Sequence, residues 1–171
     1  MLLAWALRAY GVAFRDADPV AALNALGRGL VIAQDSGDRS RASFLANGLA
    51  VLEAEHGVIV SAFDHLTLAI RNYHNSGSTT IRTPLATLAV LFDRLGRYEP
   101  AATIAGFARS PFSATGVPEI STAITHVRDV LGDQTYGSLA RKGETMTTAA
   151  MVTYAYDQID QARTELEAVS K

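Results

Sequence analysis

The chain contains no cysteine, which excludes a disulfide frame and any thiolate metal site and fits a reducing compartment. Long apolar runs are missing too. No stretch approaches the roughly 18 to 20 uninterrupted apolar residues of a membrane span. The apolar opening Met1-Leu2-Leu3-Ala4-Trp5-Ala6-Leu7 is broken by Arg8 and has no basic segment before it, so it fails as a secretory signal and reads as the start of a first helix. The expectation is a soluble, cytoplasmic protein without a membrane partner. One-signed charge is also scarce. Fifteen Lys and Arg stand against 17 Asp and Glu, a net charge of −2, and the arginines are dispersed, for example Arg8, Arg28, Arg71 and Arg128. No field draws in phosphate backbones, so nucleic acid is not an expected partner.

What is present is an apolar fraction of 49% with 19% charged residues, enough in 171 residues for one globular domain with a real core. Ala and Leu dominate while aromatics and β-branched runs are few, a mix that favours tightly packed helices over strands. Internal repetition supports this. Asp35-Ser36-Gly37 and Asn75-Ser76-Gly77 lie 40 positions apart, and each reads as a helix stop. The Gly suits the left-handed position beyond the last turn, and Asp38 or Ser78 follows as a cap for the next helix. Ala22, Ala62 and Ala102 share the spacing, as expected where paired helices approach closely.

The periodicity predicts helices over 1–14, 18–35, 39–56, 58–75, 79–95 and 98–109. A Pro/Gly/Ser-rich loop follows from Ser110 to Pro118, then helices over 119–131, 133–142 and 144–169. Leu45, Leu49 and Leu52 form one apolar stripe; Phe63, Leu66 and Ile70 form another, and Leu88, Leu91, Phe92 and Leu95 a third. On the last helix Met151, Tyr154, Ile159, Ala162 and Leu166 are the expected buried side, and one of Tyr154 and Tyr156 is expected in the core.

Leu95-Gly96-Arg97-Tyr98-Glu99-Pro100-Ala101, continued by Ala105 and Ala108, resembles the turn and second-helix start of a tetratricopeptide (TPR) unit. Gly57, Ile59, Ala62, Leu66 and Ala69 give a second copy with Ile in the aromatic place, and Asp18-Pro19-Val20-Ala21-Ala22 a degenerate first. The wider layout is similar to the carboxy-terminal helical-repeat region of actinobacterial signal-transduction ATPases, including LuxR-type regulators and ATPase-linked adenylate cyclases of the MalT-like class. It is carried by Asp16-Ala17-Asp18-Pro19 leading to Ser36-Gly37-Asp38-Arg39, by Leu88 to Arg97, and by Leu131-Gly132-Asp133 through Tyr136 and Gly143-Glu144-Thr145-Met146 to Ala155. The resemblance implies a scaffold, a sensor or partner-binding arm, and no reaction. The Gly-x-x-x-x-Gly-Lys-Ser/Thr loop of an ATP site is missing, as is a basic carboxy-terminal helix-turn-helix. The chain is accordingly read as either a fragment of a larger transcriptional regulator or signal-transduction protein, or an orphaned repeat module.

His56, His65, His74 and His126 are the side chains whose ordinary pKa lies near neutrality, the first candidates for chemistry. His56 and His74 lie near helix ends, where an imidazole complements the dipole. Glu53-x-x-His56 is half of a di-iron carboxylate motif whose second half is missing, the adjacent Asp64 and His65 diverge by about 100° on a helix, and His126 with Asp129 is a poor catalytic pair. The scattered glutamates form no facing pair. Gly27-Arg28-Gly29 falls inside a helix, where close packing explains it better than phosphate binding, and Arg141-Lys142 reads as a basic last turn. No catalytic residue, cofactor or metal is therefore expected.

The register of a TPR-like stack places Phe44, Asn47, Val51, Thr83, Thr87 and Val90 along the concave groove. This apolar, neutral set suits an apolar or helical surface, or else lies covered by the last long helix. The expectation is an all-α, TPR-like α-α superhelix of about three helix pairs over residues 1–110. A carboxy-terminal helical extension, 111–171, packs on it as a cap. Its expected role is a non-enzymatic interaction or sensor module binding a protein partner or its parent domains, with self-association through the 1–35 face. A small-molecule sensor is the alternative, and a helical enzyme the remote one.

Overall fold

The computed structural model describes residues 6–7, 14, 17–109, 117 and 119–169. Apart from Ala6, Leu7 and Phe14, the expected first helix lies outside the described residues, as does the 110–118 loop apart from Val117. Among the described residues the fold is all-α, without strands. Eight helices follow in order: α1 (Pro19–Asp35), α2 (Arg39–Glu55), α3 (Ile59–Asn75), α4 (Arg82–Arg94), α5 (Tyr98–Ala108), α6 (Ile120–Leu131), α7 (Asp133–Thr145) and α8 (Thr148–Val169). Among the described residues, no helix is long and apolar enough to cross a membrane.

The first three helices are each 17 residues long and begin at Pro19, Arg39 and Ile59, twenty positions apart. The turn chemistry explains the step. Gly37, Gly57, Gly77 and Gly96 all have φ between 64° and 77°, the left-handed conformation that glycine adopts without a Cβ penalty. Beyond Gly37 the Asp38 N–H donates to the Ala33 carbonyl at 2.9 Å, and the Gly37 N–H to Gln34 at 2.9 Å. The same double closure recurs at Gly77 and Gly96, satisfying carbonyls that the helix end would orphan. Ser36 and Ser76 add a hydroxyl bond to the carbonyls of Ala33 and Tyr73, each 3.1 Å. At the starts, Asp18 Oδ1 accepts from the Ala21 N–H and Asp38 Oδ1 from the Arg41 N–H, each 2.9 Å, so the expected Asp38 cap is present.

Before α4 the expected helix from 79 is instead a 3-10 turn, Thr79–Ile81, leading into the α-helix at Arg82. Pro84 supplies the reason, since its ring would clash with the carbonyl four residues back and its nitrogen has no hydrogen to donate.

The helices group into two compact units, Met1–Ser78 and Thr79–Lys171. This division falls earlier than residue 110, and the third helix pair belongs with the carboxy-terminal helices. In the first unit α2 packs against both α1 and α3 around Ala22, Leu26, Leu30, Leu45, Leu49 and Leu52. Each large apolar side chain so buried contributes roughly 1.5–3 kcal/mol. Gly29 is buried where an added Cβ would lie 3.3 Å from Leu45 Cδ2, whereas Gly27 has open space around it; close packing accounts for the first glycine only.

In the second unit α5 packs against α4, α6, α7 and α8. The α5–α7 crossing is made backbone to backbone. A Cβ on Gly106 would run into the Ala140 main chain, and one on Gly143 into the Thr103 carbonyl. Gly143 therefore sits inside α7 and does not end it; the break comes at Met146, which is extended, and Thr147 Oγ1 accepts from the Ala150 N–H at 3.2 Å to start α8. On α8 the buried residues are Met151, Val152, Ala155, Ile159 and Ala162. Tyr154, Tyr156 and Leu166 are only half-buried, so neither tyrosine is core.

Candidate functional site

The six expected groove positions divide between the two units. On α2, Phe44 is 43% exposed, and Asn47 and Val51 are half-buried on the same outward face. On α4, Thr83 is half-buried, but Thr87 and Val90 are buried at 4% and 8% exposure, within a run from Pro84 to Phe92 that is buried throughout. A helix enclosed on successive residues has no open face there, and the Thr87 hydroxyl donates to its own helix at the Thr83 carbonyl, 3.3 Å away. Thr87 and Val90 are thus corrected from groove lining to interior.

His56, His65 and His126 find partners that sequence spacing did not suggest, while His74 Nδ1 is buried without one among the described residues. Glu53 turns away from His56 and takes His65 of α3, with Nδ1 2.7 Å from Glu53 Oε2. His56 Nδ1 instead donates to the Leu52 carbonyl at 2.8 Å. His126 Nδ1 lies 2.7 Å from Asp93 Oδ1 of α4, not against Asp129, and its ring meets the Tyr98 ring edge-on at 5.7 Å. An ionised carboxylate only accepts, so in both pairs Nδ1 carries the hydrogen. A carboxylate that orients an imidazole in this way also stands behind many metal-ligating histidines. Among the described residues, however, no group of three or more His, Asp or Glu is placed to hold a metal ion.

Arg97, at the turn between α4 and α5, is the hub of the second unit. Its guanidinium donates to Gln158 Oε1 at 3.1 Å and Gln161 Oε1 at 3.2 Å, pairs with Glu165 at 2.8 Å, and lies 5.6 Å from the centre of the Phe92 ring. Arg82 likewise donates to the Phe107 carbonyl and stacks over that ring at 4.8 Å. Arg141 and Lys142 remain exposed, and Lys142 reaches the Tyr154 ring at 5.8 Å. Burial raises the hydroxyl pKa of Tyr73. It does the same at Tyr136, against the opposing pull of Arg128 and Arg109, and at Tyr154, against a hydrogen bond with Thr103.

Two concavities stand out. In the second unit a seam lined by Ala89, Ala101, Ala105, Ile120, Ala123 and Val127 leaves no room for a water molecule and is core packing. In the first unit an open cleft of about 330 Å³ lies where the end of α1, the start of α2 and the last turns of α3 meet. Ala33, Ala42 and Leu68 line it, with the polar side chains of Gln34, Arg39 and Asn72. Comparison of the chain with protein-family models, with curated proteins and with solved structures finds no match.

Proposed function

We propose that this chain is a TPR-like helical-repeat module that acts by binding a protein partner, as the sensor or interaction arm of a LuxR- or MalT-like regulator does, and not by catalysis. The supporting observation is the recurrence of one helix-and-turn unit every twenty residues, from Pro19 through Gly37, Gly57 and Gly77. A unit of this kind cannot bury its apolar stripe alone, so stacked units gain stability from neighbours and leave an extended surface for binding. Exposed apolar side chains on the first unit, Val31 at 55%, Val60 at 51% and Phe44 at 43%, are surface that such a partner would cover.

Light scattering coupled to size exclusion, run over a concentration series, tests the reading. The expected result is a mass that rises with concentration and is returned to monomer by Phe44→Glu with Val31→Glu. A strict monomer whose stability responds to small metabolites in a thermal-shift screen would overturn it in favour of a free-standing sensor.

A further inference from the structure

The cleft at the end of the first unit is not explained by partner binding. Its apolar part is short: Ala33 and Ala42 are buried at 1% and 2% exposure, and Leu68 packs against the same core. Around this floor stand three polar side chains, and among the described residues none of the three hydrogen-bonds or pairs within the chain. Asp38, the nearest carboxylate in sequence, is already engaged. Its Oδ1 accepts the Arg41 N–H and its Oδ2 meets the Arg41 guanidinium at 3.0 Å, which leaves the Arg39 guanidinium without an acid. Arg39 is the first residue of α2, and because Asp38 already caps that helix end through the Arg41 N–H, the Arg39 side chain is what the cleft offers an anion. A rigid fork of donors beside a volume of about 330 Å³, at the small end of ligand pockets, matches one planar anion on a small body.

We propose that this cleft binds a small free carboxylic acid of the 2-amino or 2-hydroxy class. The carboxylate takes the Arg39 fork bidentately. The polar substituent exchanges hydrogen bonds with the Gln34 and Asn72 carboxamides, each of which both donates and accepts. The aliphatic remainder lies on Ala33, Ala42 and Leu68. Charge and fit select against a polyphosphate, because one guanidinium and two neutral amides cannot neutralise several charges. The site does not depend on the interaction reading, and its failure would leave the mass measurements unaffected.

The test is a thermal-shift and calorimetric series on the full chain, using 2-amino and 2-hydroxy acids at millimolar concentration, each paired with its own carboxamide. At least one acid should raise the melting temperature while its carboxamide does not. Arg39→Gln should weaken binding by roughly tenfold or more, the loss expected for hydrogen bonds to a charged group, with the ligand-free melting temperature unchanged because Arg39 is exposed. Arg39→Lys should recover only part of it, and Asn72→Leu should act alone on acids bearing the polar substituent. No response to any acid overturns the proposal. So does a response that survives Arg39→Gln, or one confined to a peptide with a free carboxy terminus.

Discussion

Glycine serves opposite purposes at different residues of this chain, and substitution separates them. At Gly106 and Gly143 a methyl group would strike main-chain atoms of the facing helix, which no rotamer change relieves. Either change to Ala should cost about 3 kcal/mol or more, visible as a melting temperature lower by roughly 2–4 °C per kcal/mol. Gly27→Ala is the control. Nothing lies within 4 Å of that position, so α1 should gain roughly 0.5–1 kcal/mol from the better helix former. If all three variants melt alike, the α5–α7 crossing is not as close as described. The helical settings of Gly27 and Gly106 are legible in the sequence, inside the helices predicted over 18–35 and 98–109. Gly143 follows two basic residues in the manner of a helix terminus, and only the approach of Thr103 shows that it is a packing residue.

At the level of elements, the last helix is held by the Arg97 turn as well as by its apolar stripe. Arg97 is 13% exposed and Glu165 67%, so the ion pair adds little, and most of the gain comes from the two glutamine bonds and the buried aliphatic stem. Arg97→Ala should cost roughly 1–3 kcal/mol through the lost bonds. The amides of α8 should then exchange hydrogen faster than those of α1 to α3. Equal exchange in α8 before and after would remove Arg97 from this role. Deleting residues 144–171 should lower stability further, because Met151, Val152, Ala155 and Ile159 would no longer cover their partners. The α8 stripe was partly readable, since Met151, Ile159 and Ala162 keep helical spacing. Val152 and Ala155 are buried as well because the helix is covered over a wider arc than one stripe.

For the whole molecule, the buried tyrosines set an alkaline limit. Burial favours the neutral phenol of Tyr73 and Tyr136 in the folded chain, so the unfolded chain releases these protons first as pH rises past 10.0. The stability they contribute is complete below that value and is lost as pH climbs toward the raised folded values. Tyr73→Phe with Tyr136→Phe should narrow the difference in urea midpoint between roughly pH 8 and about pH 11. An unchanged difference would place the alkaline loss elsewhere.

The sequence by itself determined the helices and their turns. Glycines 37 and 77 in left-handed turns, the Asp38 cap and the apolar stripes are local chemistry, expressed within a few residues of chain, and the bounds of α1 to α3 follow from them. The tertiary structure decided what lies opposite what. Glu53 with His65, Asp93 with His126, Arg97 with α8, the burial of Thr87 and Val90, and the cleft at Arg39 each depend on helix register and crossing. Those are set by packing summed over many distant contacts, and no short window of sequence contains them.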